Sequence, residues 1–218
     1  MKRYIALVLL ALCLALLTAC GDDEDPVEET PIEDQATATP EPTATPAPTA
    51  TPEPIQTVAV SKYRYDTVSN STLQVTFQYP AHWNNDPGKS TICFLEPVAA
   101  GDVPARIAVT SKTVSKAPDT TSLKKQLASF AECVQGTYNT FTLGEKIDTD
   151  VQVFNTKGLC QSYTARDENN FRITGYILMA YNSGNKHIYV LHFSAPSNRY
   201  EDYATVLEKV RLSLAVVK

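Results

Sequence analysis

The sequence predicts a single α+β domain in which an antiparallel β-sheet lies between helices. Strand-like segments occur in two runs that one helical segment separates, and they do not alternate with helices one for one. Residues 188–193 are largely apolar on both alternate faces, which is typical of a central strand that is covered on each side. The domain occupies residues 56–218 and follows two other predicted parts, residues 1–19 and 20–55.

The first 19 residues have the pattern of a secretory signal peptide. Lys2 and Arg3 precede an apolar segment that ends in small residues, an arrangement that favours export and cleavage. An uncleaved membrane helix is the alternative. The apolar segment is shorter than the roughly 20 residues that a bilayer span requires, so we favour the signal peptide.

The end of this segment, Leu-Thr-Ala-Cys at residues 17–20, resembles the bacterial lipobox. The resemblance implies that the signal peptide is removed, that the Cys20 thiol carries lipid, and that Cys20 becomes the new N-terminus. Two or more acyl chains give a stable membrane anchor. We therefore expect a lipoprotein held at the extracytoplasmic face of the cell membrane.

Residues 20–55 are predicted to form a tether. Eight acidic residues lie between positions 22 and 34, and the hexapeptides TATPEP, TATPAP and TATPEP follow over residues 37–54. The acidic part buries too little apolar surface to order itself, and the Pro-rich part favours extended polyproline II. The threonines are either acceptors of sugars on a segment that crosses a wall layer, or parts of a plain linker, and we favour the linker.

The charge of the chain differs between the tether and the domain. The net charge is -5 for the whole protein, yet residues 55–218 contain 17 Lys and Arg against 14 Asp and Glu, which gives +3. The acidity therefore belongs to the tether. A mildly positive domain without a basic stripe interleaved with aromatic residues gives no reason to expect nucleic-acid binding.

Strand patterns fill the first third of the domain, and turn-forming residues separate them. Residues 73–79 alternate strictly between apolar and polar side chains, which predicts a strand with one wet face near a sheet edge. The predicted strands of this region are residues 58–65, 73–79, 91–95 and 106–114.

A helix is predicted next, followed by a second run of strands. Asp119 is a suitable N-cap, an apolar stripe follows it, and Gly136 is available to end the helix near Gln135. The later predicted strands are residues 140–143, 151–154, 158–165, 171–181 and 186–195. A final helix begins with a capping-box-like pair, Asn198 and Glu201, and continues to about Leu214.

Two segments carry a resemblance to a known family. They are residues 77–83, Phe-Gln-Tyr-Pro-Ala-His-Trp, and residues 189–195, Tyr-Val-Leu-His-Phe-Ser-Ala, which lead into the terminal helix. With the middle helix between them, they resemble the PsbP-like superfamily of PsbP, Mog and DcrB types, which includes photosystem extrinsic proteins, Ran-binding proteins and bacterial lipoproteins. The resemblance implies a fold, and no functional residue of that superfamily is carried onto this chain.

Catalytic and metal-binding patterns are sparse in the sequence. His187 and His192 are five positions apart on one predicted strand, so they face opposite sides and are not expected to share a metal. We interpret His192 as a core residue and His82 as a surface residue. Asp148 and Asp150 are interpreted as solvated charges. No nucleophile or metal motif is present, so we predict a protein that is not an enzyme and needs no cofactor.

Three cysteines remain in the predicted domain. An exported protein can hold disulfides, and Cys133 lies at the margin of the predicted helical stripe. The sequence therefore allows a bridge from Cys133 to either Cys93 or Cys160. Buried free thiols are the alternative.

The interpretation that we favour is a non-catalytic lipoprotein that binds an envelope protein or glycan. Tyrosine is abundant in the chain, and Tyr63, Tyr65 and Tyr181 are candidates for a partner surface, although core and edge-strand positions are the alternative. An envelope enzyme acting on cell-wall or glycan material would need a cleft with a perturbed carboxylate or histidine. A small-ligand-binding lipoprotein would need a deep apolar pocket.

Overall fold

The computed structural model describes residues 59–217 except residues 87 and 89. The predicted signal peptide, the predicted lipid site Cys20 and almost all of the predicted tether therefore lie outside the described residues. The described part contains two α-helices, α1 (Thr120–Gln135) and α2 (Ala204–Ser213). Its strands are β1 (Tyr65–Asn70), β2 (Val75–Pro80), β3 (Asn84–Asn85), β4 (Thr91–Leu95), β5 (Arg106–Thr113), β6 (Thr140–Leu143), β7 (Asp148–Val153), β8 (Thr156–Arg166), β9 (Arg172–Asn182), β10 (His187–Pro196) and β11 (Ala215–Val216).

The strands form two antiparallel sheets. The larger sheet has the order β3-β4-β5-β10-β9-β8-β6, and β7 pairs with the N-terminal half of β8. The smaller sheet has the order β1-β2-β11, so its last strand comes from the C-terminal end of the domain. All the pairings between these strands are antiparallel, which confirms that part of the predicted fold class.

Two hydrophobic cores lie on opposite faces of the larger sheet. Helix α1 covers one face, where Leu127 and Ile177 are fully buried. The other face is covered jointly by α2 and by the smaller sheet, which contribute Val210 and Phe77. Helix α1 covers the first face, whereas the second face is covered largely by the smaller sheet together with α2, an arrangement that the sequence did not reveal.

Strand β2, which the sequence predicted near a sheet edge with one wet face, lies in the middle of the smaller sheet. Its side chains alternate as expected for a period of two: Val75 and Phe77 are buried, whereas Thr76 and Gln78 are half-buried. The prediction of one wetter face is correct. The prediction of a position near an edge is wrong because β11 pairs with the side of β2 that β1 leaves open.

Helix α1 begins where the sequence predicted. The carboxylate of Asp119 accepts a hydrogen bond from the Ser122 backbone N–H at 2.6 Å, as an N-cap should. Leu123, Leu127 and Val134 are buried along one stripe. The helix ends at Gln135, so both predicted bounds are confirmed.

Two predicted boundaries are wrong. Residues 58–65 do not form the first strand, because Val60–Lys62 is a 3-10 turn and β1 begins only at Tyr65. The pair Asn198 and Glu201 does not cap the last helix, since a 3-10 turn over Tyr200–Tyr203 comes first and α2 begins at Ala204. Burial explains the 3-10 turn before α2: Tyr203 is fully buried, and its hydroxyl donates a hydrogen bond to the buried Glu96 carboxylate.

Candidate functional site

A buried carboxylate, Glu96, marks the most unusual polar cluster in the described part of the chain. Glu96 follows β4, and its backbone N–H donates to the Ala105 carbonyl at 2.9 Å, so the two residues extend the pairing of β4 with β5. Only 5% of Glu96 is exposed. A carboxylate at such a depth costs several kcal/mol unless charges and hydrogen bonds compensate it.

Four groups compensate the Glu96 carboxylate. The Tyr63 hydroxyl donates to Oε1 at 3.1 Å and the Tyr203 hydroxyl donates to Oε2 at 2.5 Å. The Arg199 guanidinium forms a fork, with 2.9 Å from Nη2 to Oε1 and 3.4 Å from Nη1 to Oε2. The Ala105 backbone N–H lies 3.4 Å from Oε2. We call Glu96, Tyr63, Arg199 and Tyr203 the carboxylate cluster.

The carboxylate cluster suits a structural role better than a catalytic one. Burial and then the negative charge of Glu96 raise the pKa of Tyr63 to about 12. Burial and the hydrogen bond to Glu96 also raise the pKa of Tyr203. Both hydroxyls therefore remain donors at neutral pH. A carboxylate whose oxygens are already occupied by donors cannot accept a proton from a substrate.

Trp83 packs against the carboxylate cluster. Its ring meets the rings of Tyr63 and Tyr203 edge to face, with centroid distances of 6.5 and 6.2 Å. The indole N–H is buried and reaches no acceptor at hydrogen-bond geometry within the described residues. The Tyr-Pro-Ala-His-Trp segment that carried the family resemblance thus delivers Trp83 to this cluster.

A groove of about 610 Å³ opens beside Arg199. The turn after β10 forms one wall of the groove, and the loop between Glu96 and Ala105 forms another. The ion pair between Glu96 and Arg199 connects these two walls. Phe171, immediately before β9, is 45% exposed at the groove. The lining residues are Asp102, Val103, Phe171, Arg172, Pro196, Ser197, Asn198 and Arg199.

The two arginines of the groove are held close to each other by the backbone. The Ser197 N–H donates to the Arg172 carbonyl at 2.9 Å, and the Arg199 N–H donates to the Pro196 carbonyl at 3.0 Å. The ends of β9 and β10 are paired at this point, with Ile173 opposite Pro196. Arg172 is an exposed residue, and its side chain forms no ion pair within the described residues.

A second polar cluster lies under α1, away from the groove. The Tyr163 hydroxyl is 2.7 Å from Nε2 of His192, and Phe130 of α1 packs edge to face on the His192 ring. Burial, helped by the charge of Arg106, lowers the pKa of His192 to about 3. His192 is a neutral core residue, as the sequence predicted, and it faces the opposite side of the sheet from His187.

The three tyrosines predicted for a partner surface lie in different environments. Tyr63 is buried in the carboxylate cluster. Tyr65 is half-buried, with the Lys209 ammonium 6.0 Å from its ring centroid. Tyr181 packs against the hydrophobic core between α1 and the larger sheet. These three residues therefore serve separate packing roles, because β1 and β9 belong to different sheets.

The predicted disulfides are not supported by the geometry. Cys93 and Cys160 are free thiols. The Cys93 sulfur accepts a hydrogen bond from Nε of Arg106 at 3.2 Å. Cys160 packs against the core on the face away from α1, which carries Cys133. Burial raises the pKa of both thiols, that of Cys160 to about 12, so neither is activated as a nucleophile.

Other predicted surface residues are placed as follows. Asp148 and Asp150 are exposed, and Asp150 pairs with Lys157 at 2.5 Å, so both are solvated as expected. His82 is half-buried and contacts the Tyr63 ring at a centroid distance of 4.3 Å, which places it beside the carboxylate cluster. Within the described residues, no group of three or more His, Cys, Asp or Glu side chains is arranged to hold a metal ion. No helix of that part has both the length and the hydropathy for crossing a bilayer.

Comparison with known structures shows a likeness of fold. The Ran-binding protein Mog1p of Saccharomyces cerevisiae matches with a TM-score of 0.51 and 11% identity, over 72% of this chain and 97% of its own. Cyanobacterial PsbP (CyanoP) from Synechocystis sp. PCC 6803 matches with a TM-score of 0.54 and 13% identity, over 74% of this chain and 97% of its own. The chain therefore has a PsbP/Mog-like fold, as the two resemblance segments predicted. No family model and no curated protein matches the sequence.

Proposed function

We propose that this protein is a non-catalytic adaptor that is lipid-anchored through Cys20 at the extracytoplasmic face of the cell membrane. In this proposal its domain binds an envelope protein through the groove beside Arg199. The observation that carries the proposal is the combination of an exposed Phe171 with two arginines in one open groove. Aromatic residues and arginine are the residue types that contribute most to protein interfaces.

The chemistry of the groove favours binding over catalysis. A guanidinium group has N–H donors and no acceptor, so the two arginines of the groove do not serve as bases. The Ser197 hydroxyl is 2.8 Å from the Thr174 hydroxyl, without a histidine beside it among the described residues. His192, whose pKa is strongly lowered, is buried under α1 and does not line the groove. A nucleophile with an adjacent base, which acyl or glycosyl transfer would need, is therefore not assembled within the described part.

The proposed tether suits an adaptor. At about 3.1 Å per residue, the Pro-rich repeat alone reaches roughly 55 Å. A domain on such a spacer searches a layer next to the membrane and meets partners that are themselves fixed in the envelope. Tethering also raises the effective concentration of the domain near such partners, so a modest groove affinity is sufficient.

Site-specific photocrosslinking in native membranes tests the proposal. A photoreactive phenylalanine analogue replaces Phe171 in the full-length protein, and the matched control carries it at Leu212, which is 63% exposed on α2. We expect a discrete adduct from position 171 that is absent from position 212. We also expect Cys20→Ala to release the protein from the membrane fraction and to abolish the adduct. Equal labelling from both positions, or none from either, would refute the adaptor function.

A further inference from the structure

We propose that the groove selects protein segments in which a carboxylate side chain lies next to an apolar one. This inference rests on the proposed function and specifies what the partner presents. In the bound state the carboxylate contacts Arg172 and the free edge of Arg199, and the apolar side chain packs on Phe171.

The first argument is that Arg199 is oriented in advance. The fork to Glu96 uses N–H groups on both terminal nitrogens, and the guanidinium carbon lies 5.2 Å from the centroid of the Tyr203 ring. A guanidinium has five N–H donors, so the others remain available, and 32% of the side chain is exposed. Because its rotamer is already fixed, Arg199 loses little entropy when it binds a ligand.

The second argument concerns Arg172, which supplies the uncompensated charge. It is exposed, it forms no ion pair within the described residues, and its carbonyl is bonded to Ser197 in the turn that leads to Arg199. The two guanidinium groups therefore start from neighbouring strand ends. A planar carboxylate accepts two N–H bonds in parallel from such groups, which gives direction as well as energy.

The third argument is the balance of charge at the groove, which favours a single negative charge on the ligand. Two arginines face one exposed carboxylate, Asp102, and Glu96 already neutralises Arg199 from the buried side. These four charges sum to zero, so a ligand carboxylate adds one negative charge, which Arg172 can contact because it forms no ion pair within the described residues, whereas a dianionic phosphate adds two. Asp102 is also an acceptor for backbone N–H groups of an extended segment.

The fourth argument is the apolar part of the lining. Val103 and Pro196 are half-buried, and Phe171 keeps almost half of its surface in water. Covering apolar surface is favourable at about 25 cal/mol per Å². A purely acidic segment leaves this surface exposed, so the carboxylate needs an apolar neighbour on the ligand.

Fluorescence anisotropy with two defined peptides tests the inference on the full-length protein in detergent. One labelled octapeptide carries a glutamate between a phenylalanine and a leucine, and the second carries glutamine instead. We expect the glutamate peptide to bind about ten-fold more tightly, as one charge-assisted hydrogen-bonded pair provides. Arg172→Gln should remove this preference, whereas Arg64→Gln, which removes an exposed arginine away from the groove, should preserve it.

The possible outcomes separate the two proposals. Equal binding of the glutamate and glutamine peptides, or tighter binding of a phosphoserine version, overturns the carboxylate selection. If position 171 still crosslinks a partner in membranes, the adaptor function survives that result. If the glutamate peptide binds through Arg172 but position 171 captures no envelope protein, the selection stands and the adaptor function fails. Circular dichroism of Arg172→Gln confirms that the variant is folded.

Discussion

Glu96 and Arg199 form a forked ion pair across 103 positions of sequence, and this pair ties the loop after β4 to the turn after β10. Only 4% of the Glu96 side chain is exposed, against 32% for Arg199. The pair therefore connects the two segments that form the walls of the groove, and it lies on the buried side of that groove. Its strength is set by how little water reaches the carboxylate.

Removal of the Glu96 carboxylate should destabilise the protein strongly. Glu96→Ala leaves Arg199 without its partner and two buried tyrosine hydroxyls without an acceptor, which we expect to cost about 3 kcal/mol in the free energy of unfolding. Urea denaturation measures the loss. The control is Glu208→Ala, whose 4.0 Å contact with Arg211 involves a carboxylate that is 65% exposed and should change stability by less than about 0.5 kcal/mol. Similar losses for the two variants would contradict the role of the carboxylate cluster.

Gly175 should not tolerate a side chain. A Cβ at this position would overlap the Tyr163 ring and lie 2.5 Å from the Phe193 carbonyl oxygen. Gly175→Ala is therefore expected to lower the midpoint of urea unfolding, at a cost of about 2–3 kcal/mol.

Gly136 provides the comparison for Gly175. Its φ is -60°, and an added Cβ would come no closer than 3.5 Å to the Cys133 carbonyl oxygen. Gly136→Ala should leave stability unchanged or raise it by up to about 1 kcal/mol. If Gly175→Ala were as stable as Gly136→Ala, the close contact between β8 and β9 at this point would be disproved.

Stability should fall on acidification because of His192. Its pKa is about 3 in the folded protein, lowered by burial and by the charge of Arg106. The unfolded chain takes up a proton near pH 6.5, so the stabilising contribution is complete above that pH and is lost as the pH falls toward 3. The slope approaches about 1.4 kcal/mol per pH unit within this window.

Two measurements isolate the His192 effect. Unfolding free energies of the wild type and His192→Gln, compared between pH 7 and pH 4.5, share the slope that carboxylates contribute, so their difference reports His192. The ring carbon resonances of His192 should stay constant over this range. A ring that titrates near pH 6.5 would show that the folded protein admits the charge.

The state of the thiols is also testable. Burial raises the pKa of the Cys93 and Cys160 thiols, and Cys93 is fully buried whereas Cys160 is half-buried, so both should react with iodoacetamide far more slowly in the folded protein than after unfolding. Mass spectrometry of the protein alkylated in denaturant without reductant should find both residues labelled. A peptide that joins Cys133 to either residue would restore the predicted disulfide.

Local patterns predicted the secondary structure better than they predicted the site. The Asp119 cap, the apolar stripe of α1 and the alternation in β2 each depend on neighbours within a few residues, and each is confirmed. The smaller sheet depends on Ala215–Val216 pairing with a strand more than a hundred positions earlier. A segment of two residues is too short to show the alternation of apolar and polar side chains that predicts a strand.

The candidate site had no local signal. Glu96 stands after an apolar strand, and its partner Arg199 lies in a turn whose sequence suggested only a helix start. Tyrosines are numerous in the sequence, but their abundance does not separate buried hydroxyl donors such as Tyr203 from surface residues. An acidic residue directly after a buried strand was the one visible hint, since such a group must find partners when it is buried.

The carboxylate cluster also determines how the domain meets a mechanical load. Chain that precedes Ala59 enters the fold through the Val60–Lys62 turn and then reaches Tyr63, whose hydroxyl is bonded to Glu96. Tension applied at the N-terminal side therefore passes to the base of β4 and, through Tyr203 and Arg199, to the last helix and the turn after β10. A force applied to the chain before Ala59 is therefore also applied to the ion pair between Glu96 and Arg199 beside the groove.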